Sequence, residues 1–303
     1  MKVAVTGATG FLGKYLVNYL SYLQYEVIVI SRPLENARQI FNDDVVVIEG
    51  DFGVEHLKNS FQGVDTVIHL AAQTMQRNSH PFKLSQFFDV NMQIIENILV
   101  AADETDVKRI CQMSSNNVYS SANTIPFTEI ELPVPSSIYG VSKLSAEILG
   151  NYYANKTGKS VINLRLARLF GYGERDSVVF TKYMNLARSK QRLEVWGEGK
   201  TKIEYIYVKD AVTAIEAILR ASNKHSGTYN VGTNRSYSVL EIAKTINKVC
   251  NNNGNLFIDS AKQESNYHIL MDSSSFYKTF EWKPEWELGK AIEDICKYYE
   301  KHV

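Results

Sequence analysis

Short apolar segments recur through the first 170 residues and alternate with segments that carry apolar residues at helical spacing. The apolar segments are rich in Val and Ile and do not alternate with polar residues, a pattern typical of strands buried on both faces of a parallel sheet. The predicted strands are Val3–Thr6, Val27–Ser31, Val45–Ile48, Asp65–Leu70, Arg109–Ser114 and Val161–Leu166. The predicted helices are Phe11–Leu23, a helix around Asn91–Ala102, and Ser137–Ala154. This order predicts an α/β fold with a doubly wound parallel sheet (Rossmann-like), whose ligands bind at the carboxyl ends of the strands.

The regular alternation weakens after about Leu169. A helix is predicted at Val179–Lys190, a return strand and helix at Ile206–Ala221, and a short strand at Tyr229–Gly232. A chain of 303 residues is long for a single domain, so a large domain with a smaller one is expected. We predict a dinucleotide-binding domain at 1–169 with a return segment at 204–233. Residues 170–203 and 234–303 are predicted to form a smaller C-terminal α/β substrate domain.

Charge and composition narrow the classes of partner. Lys+Arg and Asp+Glu number 33 each, so the net charge gives no support to binding nucleic acid or a membrane surface. No segment approaches the roughly 20 apolar residues that span a bilayer, and we expect neither a signal peptide nor a membrane partner. Cys111, Cys250 and Cys296 are far apart in sequence, which argues against a disulfide framework and a zinc site. We expect a cytoplasmic protein without a metal site.

The segment Thr6–Gly13 has three glycines at the spacing G-x-x-G-x-x-G, directly after a strand and at the start of a helix. A loop of this kind turns tightly and lets the backbone approach a pyrophosphate, while the helix N-terminus offers free N–H groups and the positive end of its dipole. The alternative, a glycine-rich turn without a ligand, does not explain why position, spacing and flanking elements agree. The residues predicted to bind the dinucleotide here are Gly7, Thr9, Gly10, Phe11, Leu12 and Gly13.

The ends of the second and third strands bear on the choice of cofactor. The second strand ends in Ser31 and Arg32, where NAD-specific proteins carry an acid for the ribose hydroxyls. Ser31 and Arg32 suit a 2′-phosphate, so NADP is favoured; the alternative is that Arg32 stacks on adenine and NAD binds. Asp51 and Phe52 end the third strand and are placed to meet the adenine, unless Asp51 only starts a loop.

Tyr139 and Lys143 carry the sharpest chemical signal. Four residues apart on a helix, they share a face. An ammonium beside a phenol is expected to lower the pKa of the phenol from about 10, which makes Tyr139 a usable general acid and base. Ser115 ends the fifth strand and is predicted, in preference to Ser114, to hold the substrate's reacting oxygen. The alternative for Ser115 is a strand-terminal cap.

Residues around the fourth strand are predicted to line the same cleft. Asn91, placed at the start of a helix, is predicted to be the fourth catalytic residue, because it can hold the backbone and order a water near Lys143; helix capping is an equal alternative. His69 lies within an apolar run and is predicted to be a core histidine. The small residues that follow suit a strand end that a cofactor approaches closely. The cofactor-binding residues expected here are Leu70, Ala71 and Ala72.

Taken together, the motifs resemble those of the extended short-chain dehydrogenase/reductase superfamily, in particular the NAD-dependent epimerase/dehydratase family. The motifs that carry the resemblance fall in the family's order along nearly the whole chain: TGATGFLG, Asp51-Phe52, HLAA, SSNNVY, YGVSK, YVKD, YNVG and WKP. The resemblance implies a nucleotide-activated sugar as substrate and a homodimer packed through a four-helix bundle. Ser115, Tyr139 and Lys143 match the family's catalytic Ser/Thr, Tyr and Lys, and the last two also its contacts to the nicotinamide ribose.

Departures from the family pattern narrow the reaction. The family's 4,6-dehydratases carry Asp-Glu after the catalytic hydroxyl, whereas this chain has Asn116-Asn117, whose neutral amides disfavour dehydration. Arg168 stands where the family usually has Asn, and Ile203 where an Arg often binds the diphosphate. Either other cations replace the phosphate contact, or the substrate is not a usual nucleotide sugar. The residues predicted to bind substrate are Gln73, Thr74, Ser115, Asn116, Arg168, Arg175 and Lys202.

These observations predict reversible hydride transfer between a nicotinamide and a sugar carbon, with Tyr139 moving the proton. Because NADP is favoured, a 4-keto-6-deoxysugar reductase is the leading expectation. A nucleotide-sugar 4-epimerase needs the same three catalytic residues and is the first alternative. A non-catalytic NADP-binding regulatory protein is the second alternative; such members usually lose the Tyr or the Lys, and this chain has both.

Overall fold

Seven parallel strands form the central sheet of the computed structural model, which describes residues 1–32, 37–74, 82–175, 179–265 and 267–301. The strands lie in the order β3-β2-β1-β4-β5-β6-β10: β2 and β3 are added on one side of β1, and β4, β5, β6 and β10 on the other, so the strand order reverses between β1 and β4. That reversal is where doubly wound sheets bind their ligands. The strands are β1 (Lys2–Thr6), β2 (Glu26–Ser31), β3 (Val46–Glu49), β4 (Thr66–His69), β5 (Arg109–Ser115), β6 (Ser160–Leu166) and β10 (Gly227–Val231).

Helices cover both faces of this sheet because successive strand residues point to opposite sides. Val3 and Val5 pack with α1 and α7, whereas Ala4 packs with α2, α4 and α5. Two apolar cores result, which confirms the predicted doubly wound α/β architecture. None of the helices in the described ranges is both long and apolar enough to cross a bilayer. The helices that flank the sheet are α1 (Phe11–Tyr22), α2 (Val54–Ser60), α3 (Ser85–Asn91), α4 (Gln93–Asp103), α5 (Ile138–Thr157) and α7 (Val208–Arg220).

The prediction of one helix around Asn91–Ala102 was wrong at its start. Two helices occupy this region, and Asn91 is the last residue of α3 rather than the first of the next helix. The apolar spacing that led to the prediction belongs to α4, which buries Ile94, Ile95 and Ile98. Phe87 is the one apolar residue that α3 buries, so no periodic signal marked this short helix.

The rest of the chain forms two small sheets with further helices. The predicted return segment, residues 204–233, does not join the large sheet as a whole. Its helix α7 packs on α1 and its strand β10 pairs with β6. Its first strand, β9, instead pairs with β7 and β11 in a small sheet. The strands of the small sheets are β7 (Arg168–Phe170), β8 (Leu193–Trp196), β9 (Lys202–Tyr207), β11 (Ser236–Ser238) and β12 (Leu256–Asp259). The helices are α6 (Val179–Arg188), α8 (Val239–Val249), α9 (Ser274–Phe280) and α10 (Leu288–Lys301).

A buried ion pair ties α5 to the sheet. Glu147 and Arg165 have side chains only 3% and 5% exposed. The Arg165 guanidinium donates to both carboxylate oxygens, with Nε–Oε1 at 3.0 Å and Nη2–Oε2 at 2.7 Å. Ser114 of β5 also donates to this carboxylate, and Arg165 Nη1 donates to the Tyr119 hydroxyl at 2.6 Å. The network holds α5 in a fixed position over β5 and β6.

We expect Glu147→Gln to lower the free energy of unfolding by roughly 3–5 kcal/mol, because it leaves the Arg165 charge buried without a counter-ion. Glu198→Gln is the matched control, since its ion pair with Lys200 joins side chains that are 66% and 72% exposed. Its cost should stay within about 0.5 kcal/mol. Urea unfolding of the three proteins measures both values. Equal costs for the two variants would contradict the assigned role of the buried pair.

Candidate active site

The loop between β1 and α1 lies against the end of β4 with almost no space between the backbones. Gly7 has φ +71°, and a Cβ there would lie 2.4 Å from the Ala71 amide nitrogen. A Cβ on Gly13 would lie 2.3 Å from the Gly7 carbonyl oxygen. Gly13 therefore permits α1 to pack closely on the loop itself. Both positions require glycine for steric reasons, independent of any ligand.

The N-terminus of α1 opens at the edge of this loop. Gly10 is its N-cap, and no side chain caps the helix. Gly10 is exposed and Thr9 half-buried, whereas Leu12 is 8% exposed and packs in the core. Leu12 and Gly13 can therefore offer only backbone N–H groups to a ligand. An uncapped helix N-terminus behind a glycine loop fits the diphosphate of a dinucleotide.

The ends of β2 and β3 offer two further groups. The Ser31 hydroxyl oxygen is buried and has no hydrogen-bond partner, a state that normally carries an energetic cost. Arg32 follows it and is exposed. Asp51 is exposed and its Oδ1 accepts from the Gly53 N–H at 2.9 Å, so its carboxylate also closes a turn. Phe52 has φ +62° and a side chain 4% exposed in the core, which leaves only its backbone to meet an adenine.

Tyr139 lies close to the end of β5 because the residue after it, Gly140, has no side chain to keep the two segments apart. A Cβ on Gly140 would lie 2.1 Å from the Asn117 carbonyl oxygen, so glycine lets the first turn of α5 approach the short 3₁₀ turn after β5. Ser115 starts that turn and accepts from the Asn117 N–H at 3.2 Å. Ser115 also lies close enough to the Tyr139 phenol to lower its pKa. The structure thus joins the two hydroxyls that the sequence placed in one cleft.

The pKa of Tyr139 is raised, whereas the sequence predicted that it would be lowered. Burial raises the pKa of Tyr139 to about 12, while Ser115 and Arg175 act in the opposite direction. Lys143 donates to the Met113 carbonyl at 2.8 Å and is not among the groups that act on Tyr139. The expectation that Lys143 lowers the pKa of Tyr139 is therefore wrong for this structure, because burial outweighs the charge. Burial also lowers the pKa of Lys143 to about 8, and Glu147, one turn further along α5, partly opposes this.

Asn91 links the end of β4 to α5. Its Oδ1 accepts from the Gln73 N–H at 2.7 Å, and its Nδ2 donates to the Gln73 carbonyl at 3.0 Å. The same Nδ2 donates to Ser142 Oγ at 3.0 Å. Asn91 thus holds the backbone, as one of the two alternatives proposed, rather than capping a helix. Phe87, also on α3, packs beside the Tyr139 ring with centroids 6.2 Å apart.

The remaining residues near β4 divide into core and cleft. His69 is 4% exposed, its Nδ1 lies 2.7 Å from Thr6 Oγ1, and burial lowers its pKa to about 3. This confirms the prediction of a core histidine. Leu70, Ala71 and Ala72 are half-buried. The Thr74 hydroxyl oxygen is buried and has no hydrogen-bond partner, which leaves it available to a bound molecule.

Arg168 and Arg175 surround a carboxylate that the sequence did not single out. Burial raises the pKa of Glu174 to about 7, and the two guanidinium groups partly oppose it. Arg175 also acts on Tyr139, and Arg168 acts on Tyr205 of β9. These five residues therefore form one charged and aromatic region linked by electrostatic interactions. Glu174 lies in a turn after β7, where neither periodicity nor a motif marks it.

Lys202 lies outside this region. It begins β9, three residues before Tyr205 and so roughly 10 Å away along the strand. Its charge acts on Glu241 and His268. Asn116 is 8% exposed, and its Oδ1 accepts from Ser115 Oγ at 3.3 Å. Asn116 is thus beside the paired hydroxyls, whereas Lys202 is not.

Two residues with clear structural roles were missed. Glu147 contacts Ser114, which explains why Ser115 and not Ser114 faces Tyr139. Its spacing was a usable signal, since Tyr139, Lys143 and Glu147 recur every four residues on one face of α5. Ser142 accepts from Asn91 and donates to the Tyr139 carbonyl at 2.8 Å. No pattern in the sequence indicates that contact.

The chain is similar to known proteins along nearly its whole length. A family model described as NAD dependent epimerase/dehydratase family matches residues 3–232. The chain is 28% identical to a putative UDP-glucose 4-epimerase of Methanocaldococcus jannaschii, across 98% of this chain and 97% of the relative. It is 26% identical to the low-salt glycan biosynthesis protein Agl12 of Haloferax volcanii, across 99% and 98%. The crystal structure of UDP-N-acetylglucosamine 4-epimerase from Bacillus cereus matches at a TM-score of 0.87 and 32% identity, covering 99% of this chain and 96% of that one.

Proposed function

The chain belongs to the NAD-dependent epimerase/dehydratase family, and from this premise we propose that it is a nucleotide-sugar 4-epimerase. The observation that carries the proposal is the proximity of Ser115 to the Tyr139 phenol, with Lys143 on the same helix face as Tyr139. These residues lie at the carboxyl end of the sheet, where the glycine loop also lies. The names of the UDP-sugar 4-epimerases that resemble this chain over nearly its full length support the substrate class.

In this proposal the chain's own residues move one proton. When bound, the dinucleotide supplies a nicotinamide that accepts a hydride from the sugar and returns it. Tyr139 takes the proton of the C4 hydroxyl as the hydride leaves C4, and gives it back to the ketone oxygen. Ser115 holds that oxygen through its hydroxyl. Lys143 contributes positive charge below the ring, and its pKa of about 8 keeps it mostly protonated at neutral pH.

The raised pKa of Tyr139 determines which protonation state the phenol has at rest. A phenol with a pKa of about 12 keeps its proton at neutral pH, which suits the protonation of a ketone oxygen. Proton removal needs cationic groups close by, and Arg175 already lowers the pKa of Tyr139. We propose that Arg168 and Arg175 also bind the substrate diphosphate in place of the family's usual Asn and Arg, since guanidinium groups match phosphate geometry. Gln73, Thr74 and Asn116 are proposed to contact the sugar.

A second candidate is a 4-keto-6-deoxysugar reductase that uses NADP. The unpartnered, buried Ser31 hydroxyl beside the exposed Arg32 favours it, because the pair offers a donor and a cation to a 2′-phosphate. A protonated Tyr139 also suits net reduction. A non-catalytic NADP-binding protein is the third possibility, against which the complete Ser115, Tyr139 and Lys143 set weighs.

We further propose the division of labour between segments. Residues 1–169 with 204–233 would bind the dinucleotide, and residues 170–203 with 234–303 the sugar nucleotide. A homodimer packed through α4 and α5 is proposed as well, since these helices expose Val100, Ile148 and Tyr152 at 43%, 62% and 60%. The free state of all three cysteines supports a reducing cytoplasm as its compartment.

Incubation with a panel of UDP-sugars and 4-keto sugar nucleotides distinguishes the candidates. An epimerase converts a UDP-sugar into its C4 epimer without net change at 340 nm. A reductase consumes NADPH steadily with a keto-sugar nucleotide. We expect Tyr139→Phe to lower turnover by at least roughly 10²-fold and to leave dinucleotide affinity unchanged, because only proton transfer is lost. Tyr153→Phe, which removes a hydroxyl from the same helix, should keep full activity. Retained turnover in Tyr139→Phe would remove the phenol from the mechanism.

We expect Arg32→Asp to weaken NADP binding more than tenfold and to shift preference toward NAD, because a carboxylate repels the 2′-phosphate and accepts from ribose hydroxyls. Ser31→Ala should weaken NADP alone. Calorimetric titration with both dinucleotides gives the ratio of affinities, with Lys224→Asp as a control for net charge. If the ratio does not change in Arg32→Asp, another residue selects the cofactor.

A further inference from the structure

Two cysteines that are distant in sequence meet where α8 packs against α10. The Sγ atoms of Cys250 and Cys296 are 3.8 Å apart, although 46 residues separate them. Cys250 ends α8 as its C-cap and is 9% exposed; Cys296 lies within α10 and is half-buried. Cys111, on β5, is 1% exposed and lies elsewhere in the core. The three thiols therefore differ sharply in access and in neighbours.

Cationic groups from the end of α6 approach the pair. Lys190 donates to the Cys250 carbonyl at 2.6 Å, and the Arg188 guanidinium lies 3.6 Å from the centre of the Tyr299 ring on α10. Arg188 favours the thiolate form of both cysteines, while Glu293 and Glu300 of α10 oppose it at Cys296. The pKa of the Cys296 thiol is lowered to about 7, chiefly by its hydrogen bond with Cys250. That hydrogen bond and burial raise the pKa of Cys250.

We propose that Cys250 and Cys296 are a redox-active dithiol that forms a reversible disulfide with low-molecular-weight disulfides such as oxidised glutathione. The sulfurs need to approach from 3.8 Å to about 2.05 Å, a change of less than 2 Å that side-chain rotation within two adjacent helices can supply. A partly exposed thiolate beside a resolving thiol is the arrangement that makes such exchange rapid.

The exchange balances in two steps. The Cys296 thiolate attacks one sulfur of oxidised glutathione, forming a mixed disulfide and releasing one glutathione thiolate. Cys250 then loses its proton and attacks Cys296 Sγ, which releases the second glutathione. The protein gives up two electrons and two protons, and one molecule of oxidised glutathione becomes two of the thiol form.

The product joins α8 to α10. Both helices pack together, and α8 also packs on α6, whose Thr181 hydroxyl lies 3.5 Å from Oε2 of Glu174, the carboxylate on which Arg168 and Arg175 act. The disulfide would restrict the unfolded chain and fix α8 against α10 in the segment proposed to bind the sugar nucleotide. Oxidation should therefore raise thermal stability. The ratio of oxidised to reduced glutathione would then control how firmly α8 is held against α10.

The experiment uses the reduced full-length protein, oxidised glutathione, and the variants Cys250→Ser, Cys296→Ser and Cys111→Ser. Wild type and Cys111→Ser should lose about 2 Da, yield one cross-linked peptide that contains Cys250 and Cys296, and melt on the order of 5 °C higher. Dithiothreitol should reverse all three changes. Cys250→Ser should stop at a glutathione adduct on Cys296, and Cys296→Ser should give neither a cross-link nor the shift in melting temperature.

Three outcomes would overturn the proposal. The first is that the wild-type thiols remain free under the same conditions in which the Cys250→Ser variant forms a glutathione adduct. The second is a cross-link that contains Cys111, and the third is a disulfide between two chains. Cys296→Ala repeats the test with an apolar replacement, so that loss of fold in a serine variant does not decide the result. No readout depends on the proposed sugar substrate.

Discussion

The close approach of Gly7 to the end of β4 is the constraint on which the site depends. The backbone of the loop lies where a Cβ would be 2.4 Å from the Ala71 amide nitrogen, so the loop follows the strand edge without a gap. Gly13 brings α1 equally close to the loop. These two contacts direct the uncapped helix N-terminus into the point where strand order reverses. In the proposed complex, a dinucleotide with its diphosphate at this N-terminus would extend one way toward Ser31 and the other toward Tyr139.

The chemistry at the other end of the cleft depends on buried charge. Lys143 is 5% exposed and remains protonated near neutral pH partly because Glu147 lies one turn away. Glu147 in turn pairs with Arg165, so the ion pair that fixes α5 to the sheet includes the carboxylate that acts on Lys143. Glu147 thus contributes both to the stability of the fold and to the proposed charge of Lys143. A change at Glu147 therefore disturbs both, whereas a change at Tyr139 removes only one hydroxyl.

The sequence predicted what short-range rules determine. Apolar runs marked the strands of the large sheet, and glycine spacing marked the loop, because each pattern follows from local geometry. Asn91 was placed at the wrong end of a helix, since its hydrogen bonds to Gln73 and Ser142 join segments that only the fold brings together. The pKa of Tyr139 was predicted in the wrong direction because depth of burial has no signature in a four-residue spacing. The proximity of Cys250 and Cys296 was not predicted, because 46 residues separate them and only the fold brings them together.

Titration of the Gly7→Ala variant with NAD and NADP tests the central claim most directly, with Gly158→Ala as the matched control. The two glycines have φ +71° and +72°, but a Cβ on Gly158 meets nothing within 4 Å. Both variants carry the same left-handed strain of roughly 1–2 kcal/mol, and only Gly7→Ala pushes the loop from the strand. The account predicts that dinucleotide affinity falls more than tenfold in Gly7→Ala and stays unchanged in Gly158→Ala. Equal affinity in folded samples of both variants would contradict it.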